Sequence, residues 1–491
     1  MGYLVAIDNG SQSTKVLIVD GSGQVHASAR VGLRPYESPA PGRSVHPGDD
    51  VWESIVQACR IAMSRFAGDP TEIAGVGLCT IRFCRALLRE DGSLAEPLMS
   101  WMDARVGRPH EPDPGVARVT TSSGYIAHRL TGRFADAAGN HQGMWPIDTT
   151  TWRWSADEAE YRRTGMTASM LSELVDPGGL LGAVTVEASA ATMLPVGVPV
   201  YATSNDKAVE ALGAGLGAPD EVLLSLGTYI AAMTVADPGD RADPGDAGDS
   251  GATDDPADPD GRRAHWVNFG ARPWQQLAES TGIRRGMWTV SWLRTLLHPP
   301  PSAEGEDLYL LDRQLGDAAA DVPPGCDGVA AVLDWLAPDD APHRRGSFVG
   351  LSGMQGRGHL HRAILEAIAF TMADHIDAMA TELDRRFRTV LVTGGGAQST
   401  LLVGMIADVL GLPVQRADLD DAAGMGAAVC AAVGSGMHPD WDSAVTAMIR
   451  RSPAQHPSAD SPAYQGLRSW HRGIRERMDA VDAWSAARRR T

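Results

Sequence analysis

The chain opens on an apolar run, residues 3–7, which stops at Asp8-Asn-Gly10-Ser11-Gln-Ser13-Thr14-Lys15 and resumes over residues 16–19. Two short buried segments around a tight polar turn predict a strand, a turn and a second strand. The pattern returns at Val222-Leu-Leu-Ser-Leu226, where Gly227-Thr228 separates two apolar runs ending at Val235. Two like units in two halves suggest a duplicated fold. Capping residues at 45–52 predict a helix through Arg65, residues 73–80 read as a buried strand, residues 86–89 as another, and Asp91-Gly92 as a turn. Strands and amphipathic helices alternate from there. The alternation predicts a layered α/β architecture, and the opening hairpin a mixed sheet instead of an all-parallel one.

Farther on, residues 196–202 form a short apolar strand ended by Thr203-Ser-Asn205-Asp206, with a helix starting near Lys207. Residues 288–297 predict a helix that Pro299-Pro-Pro301 breaks. Residues 389–393 read as a strand, Gly394-Gly395-Gly396-Ala397 as a turn, and 401–410 as a helix. The Ala/Gly-rich run 422–437 is too short to span a bilayer and predicts a closely packed buried helix capped by Asp420-Asp421. Residues 237–263, rich in Asp, Pro, Gly and Ala, show no apolar period and predict a mobile loop. From Arg450 the chain turns basic and amphipathic, which predicts a surface helix with a frayed end.

At 491 residues the chain exceeds one compact core. The expected division is a first domain over 1–213, a second over 214–450 carrying the acidic insertion 237–263, and a helical tail over 451–491. A net charge of -18 argues against a nucleic-acid or anionic-membrane partner. Five scattered cysteines without a CxxC pair read as reduced thiols, and no basic and apolar leader precedes the first strand, so a soluble cytoplasmic protein is expected.

The opening turn has the chemistry of a phosphate cradle. Convergent backbone N–H groups make an anion nest, hydroxyls of Ser11, Ser13 and Thr14 add donors, and Lys15 adds a point charge. Asp8, at the end of a buried strand, needs a partner, and beside a phosphate the natural one is hydrated Mg2+. Taken alone, the turn reads first as an ordinary hairpin; the second copy at Gly227-Thr228 favours two turns clamping one polyphosphate. No Walker motif occurs. Asp206, at a strand tip, reads in isolation as a helix N-cap, a preference that Ser204 and Asn205 share.

These stretches resemble the FGGY family of carbohydrate kinases, within the actin and hexokinase-like fold. Asp8 to Lys15 matches the first phosphate motif, and Leu226-Gly-Thr228 the second. The most specific match is Gly346-Ser-Phe-Val-Gly350-Leu351, seven residues, His359-Leu360, two residues, Ala363-Ile-Leu-Glu366. The resemblance runs from residue 3 to about 436. It implies two ribonuclease H-like domains, mixed sheets flanked by helices, around an interdomain cleft. It also implies ATP and Mg2+ as cofactors, and transfer of the γ-phosphate to a hydroxyl of a ketose or polyol.

In that reading Asp206 is the base, with the ordinary pKa of a carboxylate, and Asp8 holds Mg2+ through water. Gly10, Ser11, Ser13, Thr14, Lys15, Gly227 and Thr228 cradle the phosphates. Gly394, Gly395, Gly396, Ala397 and Ser399 receive the adenosine, while position 404 is Gly where relatives usually carry Gln or Asn. Trp101-Met-Asp103-Ala-Arg105 resembles the family's sugar-side motif: indole covers a C–H face and a carboxylate accepts from hydroxyls. Tyr125-Ile-Ala-His-Arg-Leu-Thr-Gly132 resembles a structural helix ending at a glycine.

A catalytically silent sugar sensor or interaction protein of the same fold is the rival, and the retained Asp8, Asp206, Gly227 and Thr228 speak against it. Substrate choice falls on Thr80-Ile-Arg82-Phe83-Cys-Arg85, which is neither the Gln-Met-His-Gly of xylulose kinases nor the Asn-Gln-Arg-Glu of glycerol kinases. Arg82 is expected to pair with Asp103 or to donate to the substrate. Phe83 narrows the site, so a ketose other than xylulose or a linear polyol is expected, with a glycerol- or hexulose-type kinase as a further alternative. A homodimer is compatible with all of this.

Overall fold

The computed structural model describes residues 2–236, 263–297, 306–338, 341–417 and 421–488. Two six-stranded sheets carry the fold, each built on the strand pair that the repeated pattern predicts. In the first the order is Leu180–Ala183, Pro199–Ala202, Ile73–Thr80, Tyr3–Asn9, Ser13–Asp20, Val25–Gly32. In the second it is His265–Phe269, Gln276–Ser280, Ile230–Ala236, Glu221–Leu226, Thr389–Thr393, Val414–Arg416. Tyr3–Asn9 pairs antiparallel with Ser13–Asp20 and parallel with Ile73–Thr80. Glu221–Leu226 repeats this, antiparallel to Ile230–Ala236 and parallel to Thr389–Thr393. The duplication is therefore one of topology, and both sheets are mixed.

Alternation along these central strands sorts their side chains between two faces. Val5, Ile7, Val16 and Ile18 enter a core with Ile55 of the helix Asp50–Arg65. Leu4, Ala6, Leu17 and Val19 turn to the opposite face, against Ala427, Ala428 and Ala431. In the second sheet Val222 and Leu224 join a core with Ile364 and Ile368 of the helix Arg357–Glu382. Leu223 and Leu391 of the second sheet join Leu4 and Ala6 in the shared layer between the two halves.

That shared layer is filled by Asp206–Gly213 and Ala422–Gly434, the small-residue helix expected over 422–437. Small residues let backbones touch there. A Cβ on Gly77 would lie 2.0 Å from the Ala427 carbonyl oxygen, and one on Gly426 2.0 Å from that of Val209. Gly132 ends the helix Ser122–Thr131 in the left-handed region, φ +72°, the C-terminal role its resemblance implied.

Two expectations are refined. The strand expected at 86–89 spans Arg85–Leu88. The tail forms the helix Ser461–Arg488, and it is more than a surface addition: Tyr464 and His471 are buried, and Arg468 and Arg472 both reach Asp374. The insertion expected at 237–263 lies, save Arg263, outside the described residues, as does Asp420. All five cysteines are free and buried, and no described helix is long and apolar enough to cross a membrane.

Candidate active site

The two repeated turns face each other. Gln12 Nε2 donates to Thr228 Oγ1 at 3.0 Å, joining the first turn to the second across 216 residues of sequence. Gly10 N donates to Ser13 O at 3.1 Å and closes the first turn. The second is moored by Gly286 and Met287, which open the helix Gly286–Leu297 and donate to the carbonyls of Thr228 and Gly227. Two hydroxyls expected on phosphate are instead structural. Thr14 is buried, its Oγ1 2.7 Å from Asn9 Nδ2 and 2.6 Å from Ser54 Oγ. Ser13 Oγ accepts from Arg30 Nε at 3.1 Å. The cause is strand alternation, which turns Thr14 into the layer under helix Asp50–Arg65. Ser11 stays at the surface of the turn.

Asp8, the penultimate residue of the opening strand, meets a residue that the sequence assigned only a capping role. Lys15 Nζ lies 3.6 Å from Asp8 Oδ2 and 3.3 Å from Asp421 Oδ1. Asp421 caps the helix Ala422–Gly434 by accepting from Gly424 N, while its shielded Oδ2 has no donor among the described residues. Lys15 is thus held between two carboxylates and is not a free charge. Burial first, and then the Asp421 charge, push the Asp8 carboxyl well above its usual range. A site with two carboxylates, one cation and an unmatched oxygen has the donor chemistry of a hydrated Mg2+.

Asp206 is not the N-cap of its helix, though its Oδ1 accepts from Lys207 N at 2.9 Å. Asn205 caps the helix, accepting from Ala208 N at 3.0 Å, and Asp206 is the first helical residue. Its side chain remains 23% exposed, with Arg82 Nε 3.8 Å away. Burial raises its pKa, against the pull of Arg82 and Lys207, so the expectation of an ordinary carboxylate is corrected upward. A higher value brings a general base nearer neutral pH.

Arg82 does not pair with Asp103. Its Nη1 and Nη2 donate to Glu279 at 2.8 and 2.7 Å, a two-pronged pair with a carboxylate of the second sheet that is 0% exposed. Phe83 and Trp266 lie against the guanidinium, each ring centroid 5.1 Å from its carbon. Asp103 is spent elsewhere: Oδ1 accepts from Arg105 N and Nε, Oδ2 from Ser44 N and Arg105 Nη2, and the side chain is sealed. It braces the loop behind Trp101, whose side of the motif stays 38% exposed. The expectation of Asp103 as a sugar ligand is corrected accordingly.

Two domain matches decide the family. Residues 3–111 match the N-terminal domain of the FGGY family of carbohydrate kinases, and residues 289–435 its C-terminal domain. The chain belongs to this family. The uncharacterized sugar kinase YgcE of Escherichia coli strain K12 is 42% identical over 451 residues, covering 91% of this chain and 88% of that one. A Bacillus subtilis xylulose kinase is 24% identical over 94% of both chains. In fold the chain is similar to a Rhodospirillum rubrum xylulose kinase, with a TM-score of 0.75 at 23% identity, covering 98% and 100% of the two chains. Plasmodium falciparum glycerol kinase with ADP gives a TM-score of 0.75 at 16% identity, over 97% and 98%. The protein is a carbohydrate kinase, a phosphotransferase that acts on a sugar hydroxyl with ATP.

In this kinase the three glycines after strand Thr389–Thr393 have separate reasons. Gly394 has φ +83°, and a Cβ there would lie 2.9 Å from the Leu226 backbone, at the base of the second turn. A Cβ on Gly396 would lie 2.8 Å from the Met287 sulfur. Gly395 alone is open, with nothing within 4 Å of where a Cβ would stand, so its backbone is left bare. Ala397 is buried, and Ser399 Oγ accepts from Leu402 N at 3.2 Å as a helix cap, so both shape the turn from behind. Gly404 leaves room for the Gln455 side chain, 2.8 Å from a hypothetical Cβ. The family signature is structural at its end: Glu366 accepts from Arg362 Nε and from Gly325 N, and Arg362 donates to the Tyr464 hydroxyl.

Sequence reasoning missed Glu279, Trp266 and Asn268 at the site, and the second role of Asp421. Gln276-Leu-Ala-Glu279-Ser280 is polar at three of its five positions, so nothing in the sequence marked Glu279 as buried.

Proposed function

We propose that this kinase transfers the γ-phosphoryl group of ATP to a hydroxyl of a ketose or linear polyol, with Asp206 as the base. The observation that carries the reading is an open Asp206 carboxylate beside a guanidinium locked between the two sheets. The turns at 10–15 and 227–228 hold the phosphates, mainly through backbone N–H groups, Ser11 and Thr228. Asp8 and Asp421 hold hydrated Mg2+, which when bound neutralises charge on the phosphates. Gly395 receives the adenosine. The acceptor hydroxyl lies between Asp206 and Arg82, donates its proton to Asp206 as its oxygen closes on phosphorus, and so needs only in-line placement and charge balance.

Phe83 and Trp266 narrow the pocket around Arg82, which supports an acceptor other than xylulose. A screen of ADP release across pentuloses, hexuloses, tetritols, pentitols and glycerol tests the reading. The expected result is one favoured ketose or polyol whose turnover vanishes in Asp206→Asn. Xylulose as the best acceptor, or equal turnover in Asp206→Asn, would overturn it.

A further inference from the structure

We infer that Glu279 is a specificity residue that excludes acidic sugars from the acceptor site by occupying Arg82; this rests on the reading of the cleft as an acceptor site. A guanidinium beside a sugar pocket is ordinarily the best partner a sugar carboxylate has, because its paired N–H groups match both oxygens. Here that fork is already filled from inside the protein. Nη1 and Nη2 of Arg82 are bound to the two oxygens of Glu279, and Glu279 has no solvent exposure through which to leave. Phe83 and Trp266 lie against the guanidinium.

What remains for a ligand is the side edge of the guanidinium, Nε–H with one outer Nη–H, and the Asp206 carboxylate already stands 3.8 Å from Nε. The local charge is three carboxylates, Asp206, Glu279 and Glu210, against the two cations Arg82 and Lys207. A hydroxyl suits that edge, since it donates to Asp206 and accepts from Arg82 at once. A carboxylate has no proton to give Asp206 and meets like charges in a desolvated pocket. Asn268 offers no compensation: its Nδ2 donates to Glu279 at 3.3 Å and its Oδ1 accepts from Gln142. Replacing Glu279 by Gln takes away one like charge and releases one side of the fork, because only the Gln carbonyl oxygen can still accept, and so admits an acid.

The experiment compares matched neutral and acidic chains of equal length: erythritol with erythronate, xylitol with xylonate, and glucitol with gluconate. Binding is read by tryptophan fluorescence, since Trp266 lies at the site, and turnover by ADP release. In the wild type the acid of each bound pair should bind at least tenfold more weakly than its polyol. In Glu279→Gln that gap should close by at least tenfold, and in the double variant Arg82→Met/Glu279→Gln it should not close, because no guanidinium is left to receive the acid. Equal affinity for acid and polyol in the wild type would overturn the inference, as would an unchanged gap in a Glu279→Gln protein that melts cooperatively. If Glu279→Gln does not fold, the wild-type pairs decide alone. A wild type that binds neither member of any pair and turns over no ketose would instead overturn the acceptor-site reading, and the inference with it.

Discussion

Asp206 is held where its charge is costly, and that cost is part of its use. Burial raises its pKa and leaves the ionised native state less stable than it would be with a neutral group in the same place. Asp206→Asn should therefore lower kcat by about three orders of magnitude, leave ATP affinity nearly unchanged, and raise the melting temperature. A fall in melting temperature would show that the pairing with Arg82 outweighs burial. The sign of the pH effect follows. A base must be ionised, so kcat/KM should fall as pH drops through the raised pKa, on an acid limb placed above the ordinary carboxylate value of about 3.9. Arg82 carries the opposite balance. Arg82→Ala should raise the sugar KM at least tenfold and also destabilise the fold, by about 3–5 kcal/mol, because it strands the Glu279 carboxylate. Asp8 and Asp206 were legible because each is an acid at the end of an apolar strand. Glu279 and Asp421 were not, since their partners Arg82 and Lys15 lie 197 and 406 residues away in sequence. Thr14 misled for a related reason: a hydroxyl beside a turn looks alike whether alternation faces it outward or into the core.

At the scale of elements, two helices decide how the halves hold together. Ala422–Gly434 touches the first sheet backbone to backbone, and its cap, Asp421, sits beside Asp8. Gly77→Ala places a methyl 2.0 Å from the Ala427 carbonyl, so it should cost at least the 1–3 kcal/mol typical of overpacking and lower kcat by separating the two carboxylates. Gly217→Ala, which meets nothing closer than 3.8 Å, should change neither, and thermal melts with initial rates distinguish the two. The tail helix is fixed by Asp374. Burial tends to raise that carboxyl, but hydrogen bonds from Arg472 and the charge of Arg468 outweigh it and lower the pKa. A lowered carboxyl stabilises the fold above its unfolded value and loses that contribution as pH falls through the folded one. The tail should thus stay docked at pH 5 and loosen below about pH 4, seen in Trp470 fluorescence, while Asp374→Asn should remove the dependence. The amphipathic period showed this helix in the sequence. It did not show the docking, because Arg468 and Arg472 read as solvent-facing until a buried acid is placed beneath them.

For the whole molecule, several polar contacts cross between the halves. Gln142 with Asn268 and Arg82 with Glu279 cross at the proposed acceptor site. Lys207 and Glu210 follow Asp206 on one helix and bond to Ser225 in the second sheet, 2.6 Å from Lys207 Nζ and 2.9 Å from Glu210 Oε1. Gln12 with Thr228 joins the two turns. The repeated strand pairs announced two halves in the sequence, but the residues joining them belong to no repeat. These links matter for fidelity, because a kinase whose cleft admits water hydrolyses ATP. Gln12→Ala removes a link at the surface of the cleft without disturbing a core, and such a bond contributes roughly 0.5–1.5 kcal/mol. It should leave the melting temperature near wild type while raising sugar-independent ADP release, relative to sugar phosphate formed, by about two- to tenfold, the factor that energy corresponds to. The ratio of ADP to sugar phosphate measures it directly. An unchanged ratio would mean that closure is governed by the buried Arg82–Glu279 pair and the bonds of Lys207 and Glu210 to Ser225, with the two phosphate turns meeting only as a consequence.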